Sequence, residues 1–144
     1  PRWIEFSAVS SVLLLAAYFL VRLILVIDGW SAAAFAIGGA LIAYVAADFV
    51  SGVIHWAFDR LGSRETPIIG ESFIQPFRYH HIDPKDMMNG DFINTNGKNS
   101  LAILPILFLG FLIPISSDAS WSIFALGFLN FFALGIWMTN QFHK

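Results

Sequence analysis

The chain has 144 residues, of which 57% are hydrophobic and only 12% charged, with a mean hydropathy of +0.69. A soluble domain carries about 25% charged residues, so the composition points to lipid as the solvent. The net charge of −2 and the lack of a basic tract give no grounds for a nucleic-acid partner, and the absence of cysteine excludes disulfides, thiolate zinc sites and iron–sulfur clusters.

A membrane-spanning helix needs about 20 mostly apolar residues. The first such run covers about residues 4–27, flanked by Trp3 and Trp30 as interfacial anchors, with Arg22 near enough to its end to snorkel outward. It is longer than the apolar core of about 7–15 residues in a cleaved signal peptide, which favours a retained span. A second run covers about residues 31–58, and its Gly38, Gly39 and Gly52 suit close helix contact in a membrane. The third, about 100–115, is short and carries Pro105 and Pro114; the turn-forming stretch NTNGKNS precedes it, with Asn99 or Ser100 as its expected cap. The fourth covers about 121–142, capped by Asp118 or Ser120. The predicted fold is therefore an all-α integral membrane protein with four transmembrane helices and a long cytoplasmic loop, residues 61–99, between the second and third. A short interfacial helix is expected at about 71–79 in that loop.

The charges orient this arrangement. Arg2, Arg60, Arg64, Arg78, Lys85, Lys98 and Lys144 fall on one side of the four spans, and only Arg22 approaches the other. Basic residues accumulate in cytoplasmic segments, so both termini are expected in the cytoplasm.

Asp48, His55 and Asp59 stand in or just after the second run, within roughly 20° of one direction on a helix. Ionisable groups in a span are costly and mark function by default; a structural His55–Asp59 pair is the bland alternative. His80 and His81 are adjacent in the long loop, and His143 ends the fourth run. Taken singly, each is an ordinary loop or end-of-helix histidine. The topology brings all four histidines to one face from three separate segments. Imidazole and carboxylate without sulfur suit non-haem iron, manganese or zinc. Asp83 and Asp91 are read as turn formers beside Pro84 and Gly90.

Four stretches, ADFVSGVIHWAFD, PIIGESFIQPFRYHHIDP, DFINTNGKN and NQFHK, resemble in content and order the Kua/CarF lipid-desaturase family. The resemblance runs from about residue 40 to the end, with the first span similar in hydropathy only. Its FRYHHIDP segment is closer to the plasmanylethanolamine desaturase branch than to the plant branch that acts on acyl chains. The resemblance implies an iron- and O2-dependent membrane lipid desaturase with a di-iron, non-haem centre, forming the vinyl ether bond of an ether phospholipid. The alternatives are a fatty-acyl desaturase or hydroxylase acting on a phospholipid, a b-type cytochrome, which the adjacent His80 and His81 argue against, or a non-enzymatic membrane protein with a structural metal site. By position, His55, Asp59, His80, His81 and His143 match residues tied to metal binding and catalysis, and Asp48 matches a recurrent acidic position. The family implies a phospholipid substrate, a cytochrome b5 or ferredoxin electron donor, and a home in a bacterial inner membrane or the endoplasmic reticulum. Two departures stand out. Gly90 occupies a position where His or Arg is usual, and the family pattern continues past the final HK with further histidines. The resemblance therefore implies a single desaturase-like domain over 1–144, C-terminally incomplete in its ligand set and inactive alone.

Overall fold

A computed structural model describes residues 1–79, 81–83, 85, 90–116 and 119–142. Every regular element among them is helical. Helix α1 spans Arg2–Leu25 and α2 spans Trp30–Arg60; a π-helical turn at Gly70–Ile74 runs into the short α3, Gln75–Tyr79. Helix α4 spans Phe92–Phe108 and tightens into a 3-10 turn at Leu109–Leu112, and α5 spans Ser120–Phe142. By length and composition α1, α2 and most of α5 can cross a membrane. At 17 residues α4 is shorter than these three.

The helices pack pairwise, α2 along α5 and α1 along α4, and α4 and α5 meet to join the two pairs. The α2–α5 seam is made of small residues. Ala32, Ala36, Gly39, Ala43 and Ala47 form the buried stripe of α2, spaced so that one helical face is nearly smooth. Gly39 meets the backbone of Phe124 and Phe128 on α5. Around the other pair the core is larger: Val12 and Phe19 of α1, Ile103 and Leu107 of α4, and Leu126 and Trp137 of α5 are buried. The outward faces stay apolar, with Leu14 and Leu25 on α1 and Leu41, Val45 and Phe49 on α2 exposed. A bilayer solvates such faces; water does not.

A chain of hydrogen bonds joins several polar residues inside the bundle, while Asn96 Oδ1 and Asn130 Oδ1 find no donor among the described residues. Trp137 Nε1 donates to Ser100 Oγ at 2.7 Å, and that hydroxyl donates to Asn96 O at 2.8 Å. Asn96 Nδ2 donates to Phe92 O at 3.0 Å and to Gln141 Oε1 at 3.3 Å. This network makes α4 start eight residues earlier than expected. The stretch NTNGKNS is helix rather than turn, and the cap is Asp91, whose carboxylate accepts from Asn94 N at 2.8 Å. Arg2, at the start of α1, also pairs with Asp91. These bonds to Asn94 N–H first, and to Arg2, hold the Asp91 carboxyl below the usual aspartate range. The short helix expected at about 71–79 is present as the π-turn and α3. Asp118, one expected cap of α5, lies outside the described residues, and α5 begins at Ser120.

Candidate metal centre

The last two turns of α2 carry His55 and Asp59 four residues apart, the spacing that stacks two side chains on one helix face. His55 Nε2 lies 3.6 Å from Asp59 Oδ2. The third member comes from the far side of the long connection, where His81 Nε2 lies 3.2 Å from the same oxygen. One ligand atom from each of the three residues lies within 4.8 Å of the other two. Bonds of about 2.0–2.2 Å from a metal to imidazole nitrogen or carboxylate oxygen put neighbouring ligand atoms of one ion about 3.0–3.6 Å apart, so the widest pair of the three must draw together by about 1 Å when an ion binds. His55 and Asp59 are largely shielded, while His81 is about half exposed.

Arg78 delivers His81 to this place. A helix leaves its last carbonyls without intrahelical donors. At the end of α2, Arg78 Nε donates to Phe58 O at 3.0 Å, and its Nη2 donates to Leu61 O at 3.2 Å and Gly62 O at 2.9 Å. Gly62 has φ +70°, the left-handed conformation that turns the chain back after α2. One side chain thus clamps α3 onto the C-terminus of α2, and the following turn (Asp83 N to Tyr79 O, 2.9 Å) places His81 beside Asp59. Phe77 packs edge-on against His55 with ring centres 5.1 Å apart, and against Phe58 at 5.2 Å. The result is an apolar wall behind the histidine.

The donor set fits a cation. Asp59 Oδ1 is buried without a hydrogen-bond donor among the described residues, an arrangement that buried carboxylates rarely tolerate. Two imidazoles and this carboxylate, with no sulfur, are the ligands that divalent iron, manganese or zinc accept.

Of the residues singled out in the sequence, the structure brings together His55, Asp59 and His81. His80 and His143 lie outside the described residues. Asp48 stands nearly two turns before His55 and is not one of the three converging groups. It lines a groove of about 520 Å³ that continues past Ser51, Gly52, His55, Trp56 and Asp59 to Arg60. Asp83 accepts from Lys85 N at 3.1 Å and acts as the turn former its position suggests. Sequence reasoning missed the clamp of Arg78, which the charge pattern places only on the basic side of the spans. Arg64, on the same side, pairs with Glu71 at 3.0 Å.

A bundle of membrane-type helices carrying a histidine–carboxylate cluster defines a class, and comparison with known proteins narrows it. The lipid desaturase domain model matches residues 44–144, and the chain belongs to that family. It is 44% identical over 104 residues to a plasmanylethanolamine desaturase of Myxococcus xanthus, covering 72% of this chain and 36% of that protein. It is 38% identical over 152 aligned positions to plasmanylethanolamine desaturase 1 of Mus musculus, covering 99% of this chain and 54% of the relative. Identity to the chloroplastic fatty acid desaturase 4 of Arabidopsis thaliana is 33% over 100 residues, covering 69% of this chain and 29% of that enzyme. The chain thus spans about half or less of the length of these relatives. No solved structure matches it. Membership makes the chain part of an oxidoreductase family whose substrates are lipids and whose chemistry calls for a metal.

Proposed function

We propose that the protein converts an alkyl ether phospholipid, plasmanylethanolamine, to its vinyl ether form, with non-haem iron held by His55, Asp59 and His81 together with His80 and His143. The observation that carries this reading is the convergence of His55, Asp59 and His81 at the end of α2, inside a chain whose higher identities are to plasmanylethanolamine desaturases. Removing two hydrogens from adjacent unactivated carbons is beyond side-chain acid–base chemistry, and bound iron with O2 supplies the oxidant. The balance is one O2, two electrons and two protons consumed for each carbon–carbon double bond and two waters formed. The electrons come from a cytoplasmic donor of the cytochrome b5 or ferredoxin type.

The protein's own residues supply geometry and shelter. The clamp of Arg78 on the α2 terminus fixes the His81 segment relative to Asp59. Phe58 and Phe77 keep water from the inner side of His55, where an apolar chain must lie. In this reading α4 with its 3-10 turn forms a fourth span beside α1, α2 and α5, both termini face the cytoplasm, and the cluster lies at the cytoplasmic membrane face.

The test is lipid mass spectrometry on cells expressing the full-length protein and its His55→Ala, Asp59→Asn and His81→Ala variants. Wild type should yield ether lipids lighter by two hydrogens that are cleaved by mild acid, and each variant should lose them while still inserting in the membrane. Product retained by two of the three variants would overturn the metal assignment. A product heavier by one oxygen would make the protein a hydroxylase.

A further inference from the structure

Two cavities of different character flank α2 near the cluster. Relative to His55, Trp56 and Arg60 lie about 100° and 140° around the helix in one direction, and Ile54 and Phe58 lie about 100° and 60° in the other. The first pair lines the open groove already described, whose wall mixes charged, polar and apolar residues. The second pair, with Phe73, Phe77, Ile103 and Ile136, lines an apolar cavity of about 270 Å³. Ser51 borders both, and the Phe77 ring that lines the apolar cavity also touches His55.

Arg60 differs from its neighbours. Arg2 is paired with Asp91, Arg64 with Glu71, and Arg78 with backbone carbonyls. Arg60 is exposed at the end of α2 with no ion pair to another described residue. Trp56 stands one turn before it and is 56% exposed, in the position where an indole sits at the level of lipid headgroups. A guanidinium above an interfacial tryptophan matches a phosphate that bears apolar chains. Asp48, about three turns of α2 away from Arg60 on the same groove, repels an anionic group and leaves the Arg60 end to the phosphate.

We infer that Trp56 and Arg60 bind the phosphate headgroup of the lipid substrate, and that the chain to be oxidised passes His55 into the apolar cavity behind Phe77. The inference rests on the desaturase reading and deepens it. Along the helix axis Asp59 and His55 lie only about 1.5 and 7.5 Å below Arg60. The carbons that reach the cluster are therefore within the first few atoms of the chain, as in an ether-linked carbon, and not at mid-chain.

Native mass spectrometry of the full-length protein in detergent tests the headgroup site without relying on turnover. The probes are an ethanolamine ether phospholipid and the matching alkylacylglycerol that lacks the phosphate. Wild type should retain the phospholipid about tenfold better; Arg60→Gln should abolish that preference, Arg60→Lys should keep part of it, and bound metal should stay unchanged in both. Inorganic phosphate in excess should not displace the lipid. Preference undiminished in Arg60→Gln, or displacement by inorganic phosphate, overturns the site. Ile136→Phe, which fills the apolar cavity, should shift retention toward shorter chains with metal content unchanged, and an unshifted chain preference overturns the tail assignment. Retention that follows Arg60 in a protein that makes no unsaturated lipid would refute the desaturase reading alone, because the binding result stands apart from product formation.

Discussion

Gly38 and Gly39 are neighbours on α2 with opposite surroundings, and substituting each by alanine tests the helix pairing that carries the site. A methyl group added at Gly39 would lie 2.4 Å from Phe124 O and 2.9 Å from Phe128 N, while one added at Gly38 would meet nothing within 4 Å. Non-bonded atoms prefer separations of about 3.5–4.0 Å, so Gly39→Ala requires α2 and α5 to part locally by about 1 Å. The obstructing atoms are backbone, and no side-chain rotation can relieve the clash. Overpacking of this kind costs about 1–3 kcal/mol. Replacing glycine by alanine inside a helix also gains about 0.5–1 kcal/mol, a gain common to both variants. Gly38→Ala should therefore match or exceed wild type, and Gly39→Ala should fall below Gly38→Ala by about 1–3 kcal/mol. Equilibrium unfolding in mixed detergent micelles, followed by helical circular dichroism, measures the difference. Equal stability of the two variants would refute the close α2–α5 seam.

Three further outcomes follow from other contacts. Ser100→Ala removes the acceptor of the buried Trp137 N–H and should cost about 1–3 kcal/mol in the same assay. Arg78→Ala frees the segment that positions His81 and should weaken metal binding about tenfold or more, measured by competition with a chelator; Arg78→Lys should recover little, because an ammonium cannot span three carbonyls. Asp91 sets a pH dependence at the start of α4. Its folded-state carboxyl titrates below the ordinary value of 3.8, so its contribution is present above that value and is lost as pH falls through the lower folded value. Amide exchange at Asn94 should accelerate over that acidic range in wild type, and Asp91→Asn, an alternative cap without a charge to lose, should flatten the effect.

Hydropathy made α1, α2 and α5 legible, because a helix in lipid must present apolar side chains over its whole length. It misplaced the start of α4 because Asn94, Asn96, Lys98 and Asn99 look like turn residues when read one by one. The buried positions Asn96, Ser100, Ile103 and Leu107 nonetheless recur at helical spacing, and that period outranks polarity when the polar groups find partners inside the bundle. Of the glycines that suggested helix contact, only Gly39 approaches another helix; Gly38 and Gly52 have open space around them, since composition marks a helix as packable without saying which face packs. At the site, the His55–Asp59 spacing was visible because it is local. That His81 joins them depends on Arg78 reaching back to carbonyls 16 to 20 residues earlier, and such a clamp leaves no periodic trace in a sequence. The charge count sets Arg60, Arg64 and Arg78 alike on one side of the spans and cannot tell that Arg64 and Arg78 have protein partners while Arg60 lines the groove beside the cluster.

The central claim is that His55, Asp59 and His81 bind one metal centre, and metal analysis of the purified full-length protein tests it most directly. Elemental analysis by mass spectrometry should find iron in wild type, and His55→Ala, Asp59→Asn and His81→Ala should each lower it about tenfold or more while helical content is unchanged. Metal content that is the same in wild type and all three variants would contradict the account.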